Sequence, residues 1–208
     1  MDRGMILFLG CTLTLASAWA GLVLAPNLQL GGVEPTTPEG STAAYPRPRT
    51  DMEQRGKEMY QSLGCIYCHS QQIRSGTFGH NADVARGWGT RRSVPRDYIN
   101  DRPILLGTMR TGPDLSNVGT RWSADWHHKH LYNPRMMVPG SIMPTFRFLY
   151  EVQPMADGQA APDAVALTGR WAAAVPDGHE VVPTDDARNL VAYLLSLDQS
   201  ADLPEAHE

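Results

Sequence analysis

The chain has 208 residues, a net charge of −4, and 42% hydrophobic but only 8% aromatic residues. That length suits one domain with added segments, and four Phe are few for a large apolar core, so a bound apolar group would supply missing bulk. Sixteen Pro and nineteen Gly imply long irregular connections, and the small negative charge argues against a nucleic-acid partner.

Met5 to Leu24 is a run of twenty uncharged residues that ends before Pro26. Twenty apolar residues cross a bilayer core as one helix, so residues 1–25 are expected to be an N-terminal membrane anchor. Ala16-Ser17-Ala18 and Ala18-Trp19-Ala20 both resemble signal-peptide cleavage sites. However, Asp2 offsets Arg3, and the apolar run continues past both. Residues 26–50 carry Pro26, Pro35, Pro38, Pro46 and Pro48 with Gly31-Gly32, and read as an extended linker with no core of its own.

The expected domain spans residues 51–200. Thr50-Asp51-Met52-Glu53 fits a capping box, and Gly56, Met59, Tyr60 and Leu63 then form one apolar stripe that Gly64 ends. Next comes Cys65-Ile66-Tyr67-Cys68-His69, the C-x-x-C-H signature for c-type haem attachment. Two thiols three positions apart can each form a thioether to one porphyrin, and the adjacent His can ligate the iron. A zinc site usually wants four ligands, but the third and last cysteine, Cys11, sits in the anchor. A disulfide would leave His69 unexplained.

Downstream, Gly112-Pro113-Asp114-Leu115 offers a Pro113 carbonyl to the Nδ1 proton of His69, a bond that would orient the ligand. Gly119-Thr120-Arg121-Trp122 offers a guanidinium and an indole to haem propionates, with Trp126 a similar candidate. A helix is expected from Ser123 to about Tyr132, stopped by Asn133-Pro134. Its His127, His128 and His130 read as surface or interface residues. Met143, in Pro139-Gly140-Ser141-Ile142-Met143-Pro144, is the leading sixth iron ligand, with Met136 and Met137 as rivals. His/Met ligation raises the potential and closes the iron to small ligands.

The last helix should start at Pro183-Thr184-Asp185-Asp186 and carry a Leu190, Tyr193, Leu194, Leu197 stripe. No segment shows period-two alternation, so the fold class is all-α. Residues 201–208 read as an acidic tail. Charge is uneven: residues 74–135 hold ten Lys/Arg against five Asp/Glu, residues 151–208 two against eleven. One reading is two solvated faces. The other sends the basic stretch to propionates or a partner, and the acidic one to a basic redox donor.

The capped helix, the C-x-x-C-H run, the Gly-Pro-Asp-Leu turn, the Met-Pro loop and the Leu190-to-Leu194 helix together resemble a class I cytochrome c. That resemblance implies that the first and last helices cross, with Gly56 allowing close approach and a Tyr near the haem edge; Tyr193 joins the cofactor-binding set. A narrower match covers roughly residues 56–150. Gly64 to Arg74, Thr111 to Leu115 with Arg121, and Trp126 to Met143 resemble the mono-haem subunit, subunit II, of cbb3-type cytochrome c oxidases. The stretches Arg86 to Thr108 and Gln153 to Val181 depart from the family pattern.

The resemblance implies one covalently bound haem c, with iron held by His69 and Met143 and the haem by Cys65 and Cys68. It also implies a non-catalytic relay, taking electrons from another cytochrome c and passing them to a catalytic haem b/copper oxidase subunit. The chain would sit in a bacterial inner membrane with its haem domain on the periplasmic side. The alternatives are the mono-haem subunit of a nitric oxide reductase, a freestanding tethered electron shuttle, and a haem enzyme or gas sensor with an open sixth position.

Overall fold

The computed structural model describes residues 3–207. Its N-terminal helix is continuous from Gly4 to Leu30 and divides into α1 (Gly4–Trp19), a π-helical stretch (Ala20–Leu24) and α2 (Ala25–Leu30). At 1.5 Å per residue it is about 40 Å long, enough to span a hydrocarbon core. Its large apolar side chains, Met5, Ile6, Leu7, Phe8 and Leu22 among them, lie exposed, so nothing among the described residues covers them. The hydroxyls of Thr14 and Ser17 donate to the carbonyls four residues back, each at 2.8 Å, as a lipid setting demands.

The helix does not stop before Pro26. The π-helical stretch lies immediately N-terminal to the proline, where the Ala25 N–H donates back to the Ala20 carbonyl. A local change in hydrogen-bond register of this kind lets a helix absorb a proline.

The helix α3 (Asp51–Ser62) starts at the expected capping box: the Thr50 hydroxyl accepts from the Glu53 N–H at 3.3 Å, and Glu53 Oε2 accepts from the Thr50 N–H at 2.8 Å. The helix α6 (Asp185–Leu195) starts where the Thr184 hydroxyl accepts from the Ala187 N–H. These two helices cross at Gly56, where a Cβ would run into the Asn189 carbonyl and the Tyr193 side chain. Tyr60 and Tyr193 meet edge to face at 5.5 Å inside the crossing. Leu190, Tyr193, Leu194 and Leu197 are all buried, and the main core gathers round them with Val118, Leu131, Tyr132 and Leu149. A short α4 (His80–Ala85) follows the C-x-x-C-H run, and α5 (Ala124–Tyr132) is capped by the Ser123 hydroxyl.

The all-α expectation holds for the body of the domain, with one addition. Strands β1 (Tyr150–Pro154) and β2 (His179–Pro183) pair antiparallel, with Tyr150 opposite Pro183 and Pro154 opposite His179. Residues 180–183 of β2 are buried without alternation, so the strand had no period-two pattern to read. Val165, from the stretch between the strands, donates to the Val181 carbonyl and is itself buried.

The end of the linker and the basic stretch pack together rather than hanging free. Asp97 accepts both ends of the Arg91 guanidinium, at 2.7 and 3.0 Å, and the Tyr45 hydroxyl at 2.6 Å. The C-terminal residues close over this knot: Arg91 Nε donates to the Ala201 carbonyl, Arg96 pairs with Glu205, and Leu203 and Ala206 are buried with Val94. Residues 26–50 therefore have a share in a small core, through Tyr45. Part of the basic excess is answered by this chain's own C-terminal segment, so the acidic tail is not wholly free to meet a donor.

Candidate haem site

The five-residue motif turns tightly because Gly64 adopts φ 73°, from which a 3-10 turn (Cys65–Tyr67) departs. The Cys68 and His69 N–H groups both donate to the Cys65 carbonyl, at 3.1 and 3.0 Å. The turn leaves Cys65 half-buried against the core and Cys68 exposed, and both thiols are free. Burial pushes the Cys65 thiol up to about 11, the reverse of the lowered pKa that a redox-active pair or a thiolate metal ligand uses.

His69 is held as the sequence suggested. Its Nδ1 lies 2.7 Å from the Pro113 carbonyl oxygen, so Nδ1 carries the proton and Nε2 keeps the lone pair that a metal requires. Gly112 makes the approach possible, since a Cβ there would overlap the imidazole. Burial lowers the His69 pKa and so favours the neutral ring. The Pro113 turn is fixed in its own right. The Gly112 N–H donates to the Cys68 carbonyl at 2.8 Å. Asp114, 1% exposed, accepts from the Ser70 hydroxyl at 2.6 Å and from the Gln72 and Ser116 N–H groups at 2.8 Å.

Met143 is half-buried and packs against the core, as does Met136; Met137 is not among the residues of that cluster. The Met143 loop is tied at three points. The Met143 N–H donates to Ser141 Oγ, Arg135 donates to the Met143 carbonyl at 3.2 Å, and the Phe146 N–H returns to the Leu131 carbonyl at the end of α5. Arg121 follows a 3-10 turn and lays its guanidinium over the Trp122 ring, 5.9 Å from the centroid. Trp126 stands in a stack between Trp122 and His130, each centroid 4.6 Å away. Tyr193 is fully buried, and its hydroxyl donates to Gln71 Oε1 at 3.0 Å.

The histidines of α5 are not a surface group. His127 is 3% exposed, and His128 and His130 are half-buried. Helical spacing puts His127 and Leu131 on one face and Trp126 and His130 on the next, a distinction that the uneven run of aromatic and polar residues did not reveal. Gln71 was also missed. It joins three segments, accepting from Tyr98 and Tyr193 and donating its N–H to the Leu106 carbonyl. Nothing local in the sequence marks it.

A mono-haem group fits these residues. The two thiols are unpaired, and the His69 ring is oriented with one nitrogen spare. Half-buried apolar side chains of Ile66, Leu115, Met136, Met143 and Phe146 back onto the core. Among the described residues, no three His, Cys, Asp or Glu side chains converge as a metal-binding group. A separate cleft of about 450 Å³ is lined by Arg49, Gln71, Asp101 and Ser116 among others and shares none of the proposed haem residues.

The family described as cytochrome C oxidase, mono-heme subunit/FixO has a model that matches residues 3–198 of the chain. No curated protein matches it.

Proposed function

The chain belongs to the mono-haem subunit family of cytochrome c oxidase, and on that premise we propose that it relays electrons, one at a time, to the catalytic haem b/copper subunit of a cbb3-type oxidase, taking them from another cytochrome c. One observation carries this reading: a C-x-x-C-H turn whose His69 is braced at 2.7 Å by Pro113, on a domain that hangs from a single bare apolar helix.

When bound, the haem supplies a one-electron ferrous/ferric couple. The chain's own residues do the rest. Cys65 and Cys68 would tether the group through thioethers. His69 would offer Nε2 to the iron, and Pro113 fixes the ring so that the ligand need not reorient with each electron. Met143 would offer its thioether sulfur to the iron and keep small ligands away. Arg121 and Trp126 lie in the segment that would meet the propionates, and Tyr193 stiffens the helix crossing beside Cys65. The α1–α2 helix holds the domain at the membrane. C-type haems are attached outside the cytoplasmic membrane in bacteria, which puts the domain on the periplasmic side.

The docked Tyr45-to-Arg49 segment shortens the free tether and weighs against a wide-ranging shuttle. Solubilising native membranes in mild detergent and isolating the chain tests the proposal. A complex that contains haem b and copper and turns over oxygen is expected. A chain that purifies without either, or a complex that reduces nitric oxide but not oxygen, would sink it.

A further inference from the structure

Resting on the haem reading above, we propose that His130 holds a haem carboxylate by donating a hydrogen bond from its Nδ1. That atom is buried and has no hydrogen-bond partner among the described residues. A buried polar atom left unpaired is rare enough in native proteins to call for a partner that is missing. The direction of the missing bond is set by packing. The His130 ring lies flat on Trp126, 4.6 Å between centroids and 13° between planes, and Trp126 lies flat on Trp122 at 4.6 Å and 10°. A ring clamped in this way cannot swing its Nδ1 toward solvent.

His130 also lies in the right neighbourhood. Burial first, and then the nearness of the His69 imidazole, lowers its pKa to about 4, so the ring is neutral near pH 7 and carries a single N–H. His127, the other α5 histidine with an unpaired buried nitrogen, does not feel His69; its neighbours are His130, His128 and Val118. At its rim a haem offers two carboxylates as strong acceptors, and a carboxylate is the partner that best rewards a buried donor. Arg121 and Trp126 were the residues that sequence alone pointed to; of the two α5 histidines with an unpaired nitrogen, His130 is the one beside His69.

The electrostatic consequence is readable. A donated hydrogen bond disperses the carboxylate's negative charge. Without it, more of that charge stays beside the iron, the ferric state gains, and the haem becomes harder to reduce.

The test uses the whole chain in its native membrane complex. His130→Phe keeps a ring on Trp126 but removes the donor, whereas His130→Asn places an amide N–H where Nδ1 stands. Spectroelectrochemical titration of the c-type band reads the outcome. At a fixed applied potential the Phe variant should lose roughly three- to tenfold in its reduced-to-oxidised ratio, a fraction of what one hydrogen bond to a charged group contributes, because the carboxylate is present in both oxidation states. The Asn variant should stay within about twofold of wild type, with equal covalent haem staining in all three. A Phe variant that titrates like wild type overturns the assignment, as does an Asn variant that falls as far as Phe.

If the Phe variant does not accumulate, the propionate-bending Raman band of the wild-type protein decides. A shift in heavy water supports the bond, and an unmoved band overturns it. A wild-type chain without covalent haem overturns the underlying haem reading as well, and is distinguished by the stain.

Discussion

Gly56 and Tyr193 face each other where α3 crosses α6, so closely that a Cβ on Gly56 would stand 2.7 Å from the Tyr193 Cβ. The same Cβ would also penetrate the Asn189 carbonyl, which is backbone and cannot turn aside. In an open helix, Gly→Ala gains about 1 kcal/mol from propensity. Here the overlap reverses the sign, and Gly56→Ala should cost about 1–3 kcal/mol or more. A shift of the denaturant midpoint to lower concentration is expected; an unchanged midpoint would mean that the helices can part without loss.

Asp101 is buried and serves two cations, Lys57 Nζ at 2.8 Å and Arg49 at 3.1 Å. Lys57 is itself 2% exposed, so removing the shared carboxylate leaves a buried ammonium without its counter-charge. Asp101→Asn should destabilise by about 3–5 kcal/mol, read as a lowered melting temperature. Lys57→Met, which removes the buried ammonium and leaves Asp101 with Arg49, should cost less.

Cys65→Ala and Cys68→Ala should each weaken covalent haem retention, and the double change should abolish haem staining on a denaturing gel. Unchanged staining in the double variant would remove the motif from the attachment reading altogether.

The oxidised protein should show a thioether-to-iron charge-transfer band that Met143→Ala abolishes and Met137→Ala leaves intact. Met136→Ala is the sharper control, since Met136 shares the core contact with Met143. Loss of the band in the Met136 variant alone would transfer the ligand role to it.

His127 gives the domain an acid sensitivity. Burial, helped by the neighbouring His130 and His128, holds its folded pKa down to about 4, against about 6.5 in an unfolded chain. Between these values the unfolded state binds more protons, so stability falls as pH drops from 6.5 towards 4 and levels off below. The full difference is at most about 3–4 kcal/mol. Denaturation curves at pH 7, 5.5 and 4.5 should show the loss, and His127→Gln should remove about half of it, because His130 is held down to about 4 in the same way; parallel curves for the two proteins would exclude His127 as a source. Glu53 and Asp83, whose pKa values are lowered by Arg47 and Arg110 contacts, add their own losses only at still lower pH.

Where one residue type meets a local rule, the sequence is legible. Thr50, Glu53 and Thr184 announce their helix starts, because a cap is a bond between residues three apart. Cys65 to His69 are legible because attachment chemistry demands fixed spacing, whereas the Pro113 carbonyl, 44 residues from His69, was legible only as a turn able to serve that ring. The strand β2 was not, since full burial erases alternation. Nor was the tie between Arg91, Asp97, Tyr45 and Ala201, because charges far apart in sequence carry no sign of which will pair.

Thus composition and spacing by themselves determined the apolar N-terminal helix, the haem motif, the two capped helices and the helical class, all of which rest on local geometry or on periodicity along one element; that the two helices cross followed only from the resemblance to class I cytochromes c. Tertiary structure alone decided that Arg96 of the basic stretch pairs with Glu205 of the acidic one, that the linker's end is docked, and that His130 is enclosed beside Trp126 with an unpaired nitrogen. Those features depend on which surfaces exclude water together, a property of packed neighbours that no single stretch of chain contains.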